Sequence, residues 1–407
     1  MAPRSAGHWS GPAGGSPLEV LRIFLRLGLT SFGGPIAHLG YFRDAFVVRL
    51  GWLDEKAYAD LVGLCQFLPG PASSQVGFAI GLMRAGWVGA LAAWAGFTLP
   101  SAVAMTAVAF GADALSGPAG EGLLHGLKLT AVAVVAQAVL GMARSLAYDV
   151  PRSAIAVLAL ALMAVMFGAV GQIGAILAGG IFGLAFCREV VAGGGQGDGA
   201  APPVSRSLGA AFFAAYLALL ALAFAPWRES ALAFLAAVYR SGALVFGGGH
   251  VVLPLLQAAV VAPGYVTQGA FLEGYGAAQA MPGPLFAFAA FLGAASGAPP
   301  GGGVGAALAL LAVFAPGLLV LLAALPFWHE LRARSGARAA MAGINAAVVG
   351  LLAAALYDPV WTTSVHSPLD FAMAGGGFTA LVAWRMPPLA VVATLAAAGA
   401  VLGFAGG

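Results

Sequence analysis

Charged residues are scarce in this chain: Asp, Glu, Lys and Arg make up only 8% of its 407 residues, while 61% are hydrophobic. So few charges cannot cover the surface of a soluble domain, so the composition predicts an integral membrane protein. Most of the chain consists of apolar runs of roughly 17–25 residues, the length of a helix that spans a bilayer. The period-two alternation of a β-barrel is absent. The predicted fold class is therefore an all-α polytopic membrane protein.

Groups that carry out chemistry are also missing. The two cysteines, Cys65 and Cys187, lie in apolar segments and indicate neither a disulfide framework nor a metal site. The sequence has no nucleotide-binding loop and no cluster of nucleophiles or metal ligands, so we expect no enzyme, no catalytic residue, no metal and no cofactor. The net charge of +3 reflects a bias between loops, and no nucleic-acid partner is expected. No apolar core with a cleavage site follows the N-terminus, so no cleaved signal peptide is predicted.

Glycine and proline, by contrast, are abundant, with 60 and 24 residues. The motif Gln-x-x-Pro-Gly-Pro occurs at 66–71 and again at 279–284, a displacement of 279 − 66 = 213. Proline removes a backbone donor and glycine admits positive φ, so each copy predicts a broken helix. Lipid tolerates a break only where it is buried in protein or lines a polar cavity. A break that occurs twice predicts a duplicated membrane protein with its site at the broken helices.

Other residues recur at the same displacement. Arg26 corresponds to Arg240, displaced by 240 − 26 = 214, and Asp60 corresponds to Glu273, displaced by 213. Each arginine precedes a Phe-Gly-Gly break, at 32–34 in the first copy and at 246–248 in the second. We therefore divide the chain into a flexible N-terminus, a first repeat, a linker, a connecting transmembrane helix and a second repeat, at 1–17, 18–189, 190–207, 208–225 and 226–405.

Within each repeat the pattern predicts two broken hairpins and then full spans. The hairpins are at 18–50, 57–83, 231–261 and 268–296, and the full spans, with the connecting helix, at 87–112, 128–148, 152–169, 170–187, 208–225, 303–326, 339–357, 368–384 and 387–405.

The charges of the loops indicate opposite orientations for the two repeats. The turn at 43–56 holds three cationic residues, while its counterpart at 257–268 has no charge. The loop at 113–127 has no Lys or Arg, while the counterpart holds Arg332, Arg334 and Arg338. Because cationic loops stay in the cytoplasm, the first repeat enters from the cytoplasm and the second from outside. The prediction is two inverted-topology repeats, the layout of a secondary transporter.

The broken helices could hold an anion, because a helix N-terminus carries partial positive charge and free N–H groups. Arg26 and Arg240 lie in apolar segments, where an arginine is costly, and a guanidinium suits a tetrahedral oxyanion. Arg26, Thr30 and Gly33 were assigned to one helical face, which predicts that Arg26 faces the break. The alternative is that the arginines snorkel to the interface or pair with other helices.

The remaining candidates have two readings each. Asp60 and Glu273 could pair with the arginines or carry a coupled proton; the alternative is an interfacial carboxylate. Gln66 and Gln279 either cap the broken backbone or contact substrate. Further candidates are Ser73 and Ser74 as N-cap or ligand donors, against Phe286 and Ala287 in the second repeat, and His38 and His250, which do not align, as packing or hydrogen-bonding residues.

These paired motifs, at 32–35 and 66–71 with their second-copy partners, resemble the chromate ion transporter family, long-chain type, over about 18–405. The resemblance implies a bacterial inner-membrane carrier that exports chromate and confers resistance, with sulfate as an isosteric dianion. It supports the motif glycines, the prolines and Arg26 as important residues. The departures at Phe286 and Ala287 leave a second equivalent binding site open.

We therefore predict a secondary active transporter that works by alternating access; the alternative is a transporter or channel for another dianion such as sulfate. The lipid bilayer is its other partner, and a homodimer is left open. The predicted substrate-binding residues are Arg26, Thr30, Phe32, Gly33, Gly34, Gln66, Pro69, Gly70, Pro71, Ser73, Ser74, Arg240, Phe246, Gly247, Gly248, Gln279, Pro282, Gly283 and Pro284.

Overall fold

The computed structural model describes residues 15–31, 34–111, 117–166, 168–188, 204–228, 230–246, 252–327 and 334–406, and structural statements below refer to these residues. All of their regular secondary structure is helical, which confirms the predicted all-α fold class. The predicted flexible N-terminus and most of the predicted linker lie outside the described residues.

The first half of the chain forms seven helices in its described residues. Ser16 caps the first helix with its side chain, and Asp54 caps the third by accepting from Ala57 N at 2.7 Å. The helices are α1 Pro17–Thr30, α2 Gly34–Arg43 with a wide-turn continuation Asp44–Arg49, α3 Glu55–Phe67, α4 Ala72–Gly111, α5 Pro118–Leu146, α6 Val150–Val165 and α7 Gly168–Phe186.

The second half begins with the connecting helix and repeats the alternation of short and long helices. Ser205 and Thr267 cap two of these helices with their side chains. The helices are α8 Arg206–Ala223, α9 Ser230–Ala243, α10 Val252–Val260, α11 Gln268–Ala278, α12 Phe288–Ala295 after a 3-10 turn Leu285–Ala287, α13 Gly302–Ala324, α14 Ser335–Ala355, α15 Pro368–Val382 and α16 Pro388–Gly406.

The predicted interruptions are present at both Pro-Gly-Pro motifs. Helix α3 ends at Phe67 and α4 begins at Ala72, and the second motif lies between α11 and the turn that leads into α12. A further break separates α1 from α2. Inside α4, Ala85 and Gly86 have non-helical backbone angles, so the half-helix and the long helix predicted there are also distinct.

Five helices are long and apolar enough to cross a membrane: Ala72–Gly111, Pro118–Arg144, Arg206–Ala223, Gly302–Phe327 and Ser335–Asp358. The other four predicted spans are shorter helices, α6, α7, α15 and α16, of 15 to 19 residues. At 1.5 Å per residue, the 16 residues of α6 extend about 24 Å, less than the hydrocarbon core of about 30 Å.

One boundary was predicted wrongly. The span expected at 128–148 begins ten residues earlier, at Pro118. Proline is favoured at the first helical position and Glu121 suits the first turn, where an acid stabilises the N-terminus. Most of the expected outer loop is therefore helix.

The two halves are packed through each other rather than side by side. Helix α5 of the first half lies against α16 of the second, and a Cβ at Gly122 would be 2.2 Å from Gly399 O. Helix α7 meets α14 in the same way, with Gly183 against Gly343. Small residues permit such close helix contacts in membranes. The connecting helix α8, by contrast, is mostly exposed.

Candidate substrate site at the broken helices

Two reciprocal backbone hydrogen bonds join the breaks of the two repeats. Gly70 N donates to Val245 O at 2.7 Å, and Gly283 N donates to Ser31 O at 2.8 Å. The residues correspond, because 283 − 70 = 213 and 245 − 31 = 214. Each Pro-Gly-Pro break is therefore bonded to the end of the helix that precedes the other repeat's Phe-Gly-Gly break.

Glycine is needed at both of these positions. Gly70 has φ +116° and Gly283 has φ +90°, conformations that L side chains rarely adopt. A Cβ at Gly70 would lie 2.7 Å from Gly317 Cα, and one at Gly283 would lie 3.0 Å from Ser101 Oγ. Each break therefore packs against a long helix of the other repeat, α13 or α4.

Polar side chains bind the broken backbone of the first repeat. Gln75, which is fully buried, donates from Nε2 to Pro69 O at 2.9 Å and to Gly317 O at 2.8 Å. The buried His38 lies with Nδ1 3.4 Å from Ser73 Oγ and Nε2 3.2 Å from Ser31 O. Because Ser31 O also accepts from Gly283 N, His38 connects the start of α4 with the break of the second repeat.

A small cavity of about 50 Å³ lies at this meeting point. Its lining includes the first residue of α2, Gly34, and the first residue of the turn into α12, Leu285, so two helix N-termini border one space. Gln137 and Gln279 also line it, and Gln279 Nε2 is buried with no hydrogen-bond partner among the described residues. This volume has room for only a few waters. The site must therefore widen to admit an oxyanion.

The predicted orientation of Arg26 is wrong. Arg26 and Thr30 are exposed, and Thr30 Oγ1 donates back to Arg26 O at 2.8 Å. The buried face of α1 is formed by Phe24, Leu27 and Gly28, because apolar side chains and a glycine make the contact with α4. Arg26 lies about 100° away from Leu27 around the helix, and so it points out of the bundle.

Arg240 contacts another helix, the alternative to anion binding that the sequence left open. It is half-buried and donates from Nη1 to Ala223 O at the C-terminus of α8, and its guanidinium carbon lies 5.5 Å from the ring centroid of Phe224. Arg240 also lines a wider cavity of about 300 Å³, together with Gln172 and Tyr265.

Glu273 pairs with a lysine and not with an arginine. Its Oε1 lies 3.0 Å from Lys128 Nζ of α5. The side chain of Asp60, its counterpart, lies outside the described residues. Gln66 is exposed near the end of α3, so Gln75 and not Gln66 caps the first break.

The two serines of the first repeat lie inside α4 rather than at its N-cap. Ser73 and Ser74 are the second and third residues of the helix, and both are buried. Ser74 Oγ has no hydrogen-bond partner among the described residues. The motif prolines and Phe246 are buried or half-buried, whereas the remaining candidates lie outside the described residues: Phe32, Gly33, Gly247, Gly248 and His250.

Sequence reasoning missed three polar residues at or near this centre: Gln75, Gln137 and Lys128. A signal existed for two of them. Gln75 follows the Pro-Gly-Pro break by one helical turn, and Lys128 is one of two lysines in the chain and lies beside a long apolar run. Gln137 had no comparable signal, because its counterpart in the second repeat is apolar.

An all-helical, multi-pass membrane protein whose interrupted helices meet around a small polar cavity has the architecture of a secondary transporter. The comparison with known families gives the particular one. The chain belongs to the chromate transporter family, whose model matches residues 18–184 and 232–404. It is therefore a transporter and not an enzyme, and chromate is the substrate that the family supports.

Its relatives carry matching names. The chain is 29% identical over 395 residues to a chromate transport protein of Pseudomonas aeruginosa, covering 93% of this chain and 90% of the relative. It is 25% identical to a chromate transport protein of Cupriavidus metallidurans, covering 83% and 81%. An uncharacterised transporter of Methanocaldococcus jannaschii is also 25% identical, covering 83% of each chain. No solved structure matches the chain.

Proposed function

We propose that this protein exports chromate across the bacterial inner membrane by alternating access and so confers chromate resistance. The observation that carries the mechanism is the reciprocal pair of hydrogen bonds at Gly70 and Gly283. Two broken elements that close on each other can separate toward one side of the membrane at a time. The small volume of the cavity between them is consistent with a closed state.

The dianion would bind where these breaks separate. Gly34 and Leu285 bring free N–H groups of helix N-termini to the cavity, and the unpartnered Gln279 Nε2 supplies a further donor. Ser73 and Ser74 at the start of α4 extend this donor set. Donors without acidic side chains favour an anion over a cation, so these five residues form the proposed centre of the substrate site.

The arginines have a different proposed role. Arg240 lines the wider cavity with its guanidinium already bonded to Ala223 O, so it would attract the anion without being its main ligand. Arg26, exposed on α1, would act at most at the entrance. Asp60 and Glu273 stay candidates for proton coupling.

The membrane potential suffices as a driving force. One charge moved through 100 mV corresponds to about 2.3 kcal/mol, so a dianion leaving a negative interior gains about 4.6 kcal/mol. The inverted topology, supported by the loop charges and by the two segments that the family model matches, gives the two repeats equivalent roles on opposite sides.

Sulfate is the second candidate substrate. It carries the same charge and tetrahedral shape, and N–H donors at helix termini bind both anions through their oxygens. The chemistry of the site therefore accommodates either dianion.

Uptake of chromate into everted membrane vesicles tests the proposal, since export from the cell becomes uptake in that orientation. We expect uptake driven by a potential, and a smaller loss for Arg26→Ala than for Arg240→Ala at equal protein level. Sulfate added in excess measures selectivity. Sulfate uptake without chromate uptake would replace chromate by sulfate as the substrate, and uptake of neither would refute the proposed function.

A further inference from the structure

A buried ion pair joins the two repeats beside the candidate site. Lys128 Nζ of α5 lies 3.0 Å from Glu273 Oε1 of α11, and the side chains are only 22% and 19% exposed. The two helices are in close contact here, because a Cβ at Gly276 would lie 2.2 Å from Leu127 O. A paired charge at such a crossing is costly to desolvate and is seldom idle in a membrane.

The same two helices form a wall of the cavity at the breaks. Val134 and Gln137 of α5 line it, as do Ala278 and Gln279 of α11. Glu273 precedes Gln279 by six residues, a rise of about 9 Å along the helix, and Lys128 precedes Gln137 by nine, about 14 Å. The ion pair therefore lies along the α5–α11 contact, between the cavity and the helix ends that the loop charges assign to the outside.

The pair has no cationic equivalent on the other side. Glu273 corresponds to Asp60, but positions 214 to 216 residues after Lys128 hold Ala342, Gly343 and Ile344. A cation is thus available to the anion path at one end only, which is the exit in the proposed export reaction.

We propose that Lys128 is an exchangeable ligand of the exiting dianion, bound to Glu273 while α5 and α11 are closed and transferred to the anion as they separate. The inference rests on the proposed function. Lysine suits this role because its ammonium is a compact charge on a flexible stem that can move between two oxygen partners. Glu273 then competes with the dianion for Lys128, which limits how long the anion stays and promotes its release.

This competition predicts opposite effects from the two partners. The measurement is the dissociation constant of chromate, obtained from its stabilisation of the purified protein against heating. Lys128→Met should weaken binding about tenfold, as expected for a charged hydrogen bond. Glu273→Gln should tighten binding and slow uptake into everted vesicles. The double variant should bind like Lys128→Met, because Glu273 acts only through the lysine.

The exposed pair Arg43–Glu55, with Nε and Oε1 2.6 Å apart, is the matched control. Neutralising it should leave chromate binding unchanged. Equal or same-direction changes in binding for Lys128→Met and Glu273→Gln would overturn the proposal and leave the pair a structural contact. If Lys128→Met does not fold, Lys128→Arg and Glu273→Gln decide: binding must be retained in the first and tightened in the second. A wild-type protein that binds sulfate only would remove the proposed chromate function, and the same variants would then be compared with sulfate.

Discussion

Replacing Gly70 with alanine tests whether the contact between the breaks is essential to the transporter. Gly70 has φ +116°, and an added Cβ would lie 2.7 Å from Gly317 Cα and 3.0 Å from Gln75 Nε2. The first neighbour is backbone and cannot move aside alone. The second already donates to two carbonyls, so moving it would break hydrogen bonds as well.

The magnitude has two parts. A positive φ costs an L residue about 1–2 kcal/mol. Overpacking against a fixed neighbour adds about 1–3 kcal/mol. Gly264→Ala separates them, because Gly264 has φ +82° but no atom within 4 Å of its added Cβ. The two variants should therefore differ by the overpacking contribution alone.

The assay combines the thermal midpoint of each purified variant with chromate uptake per molecule of protein in everted vesicles. Gly70→Ala should melt below Gly264→Ala and lose most of its uptake, whereas Gly264→Ala should transport normally. Gly283→Ala, which would lie 2.9 Å from Phe97 O, should behave like Gly70→Ala. Normal uptake by both break variants would refute the view that the breaks must close on each other.

Three further predictions follow from the same geometry. Gln75→Leu should destabilise the protein by about 2 kcal/mol or more, because two buried carbonyls lose their donor, while Gln66→Leu at its exposed position should change the melting midpoint little; equal effects would contradict the capping role of Gln75. Glu121→Cys and Ser335→Cys should react with an impermeant thiol reagent from opposite faces of the membrane, the two native cysteines being buried; labelling from one face would exclude inverted repeats. His38→Leu should reduce chromate uptake more than melting stability, and unchanged uptake would show that its two hydrogen bonds do not link the breaks in function.

Local chemistry made the interruptions predictable. At Gly70 and Gly283 the flanking prolines remove donors, and the glycines permit a φ that other residues rarely adopt, so each break follows from a few adjacent residues. The all-helical class follows in the same way from the scarcity of charge. The early start of α5 at Pro118 was missed because polar residues near a helix N-terminus look like a loop in sequence.

The identity of the partners was not predictable from local sequence. Gln75 caps a carbonyl 242 residues away, whereas Gln66, the glutamine of the motif, is exposed. Arg26 faced outward because α1 buries the face that contains Leu27.

Composition and helix-breaking residues thus determined the class of protein, the positions of its breaks and its internal duplication, since each depends on the chain alone or on its immediate neighbours. Folding determined which face of each helix is buried and which distant groups meet, including the Lys128–Glu273 pair and the two bonds at Gly70 and Gly283. The reason is that these contacts depend on how helices far apart in sequence are packed, and the residues within each helix do not specify that packing.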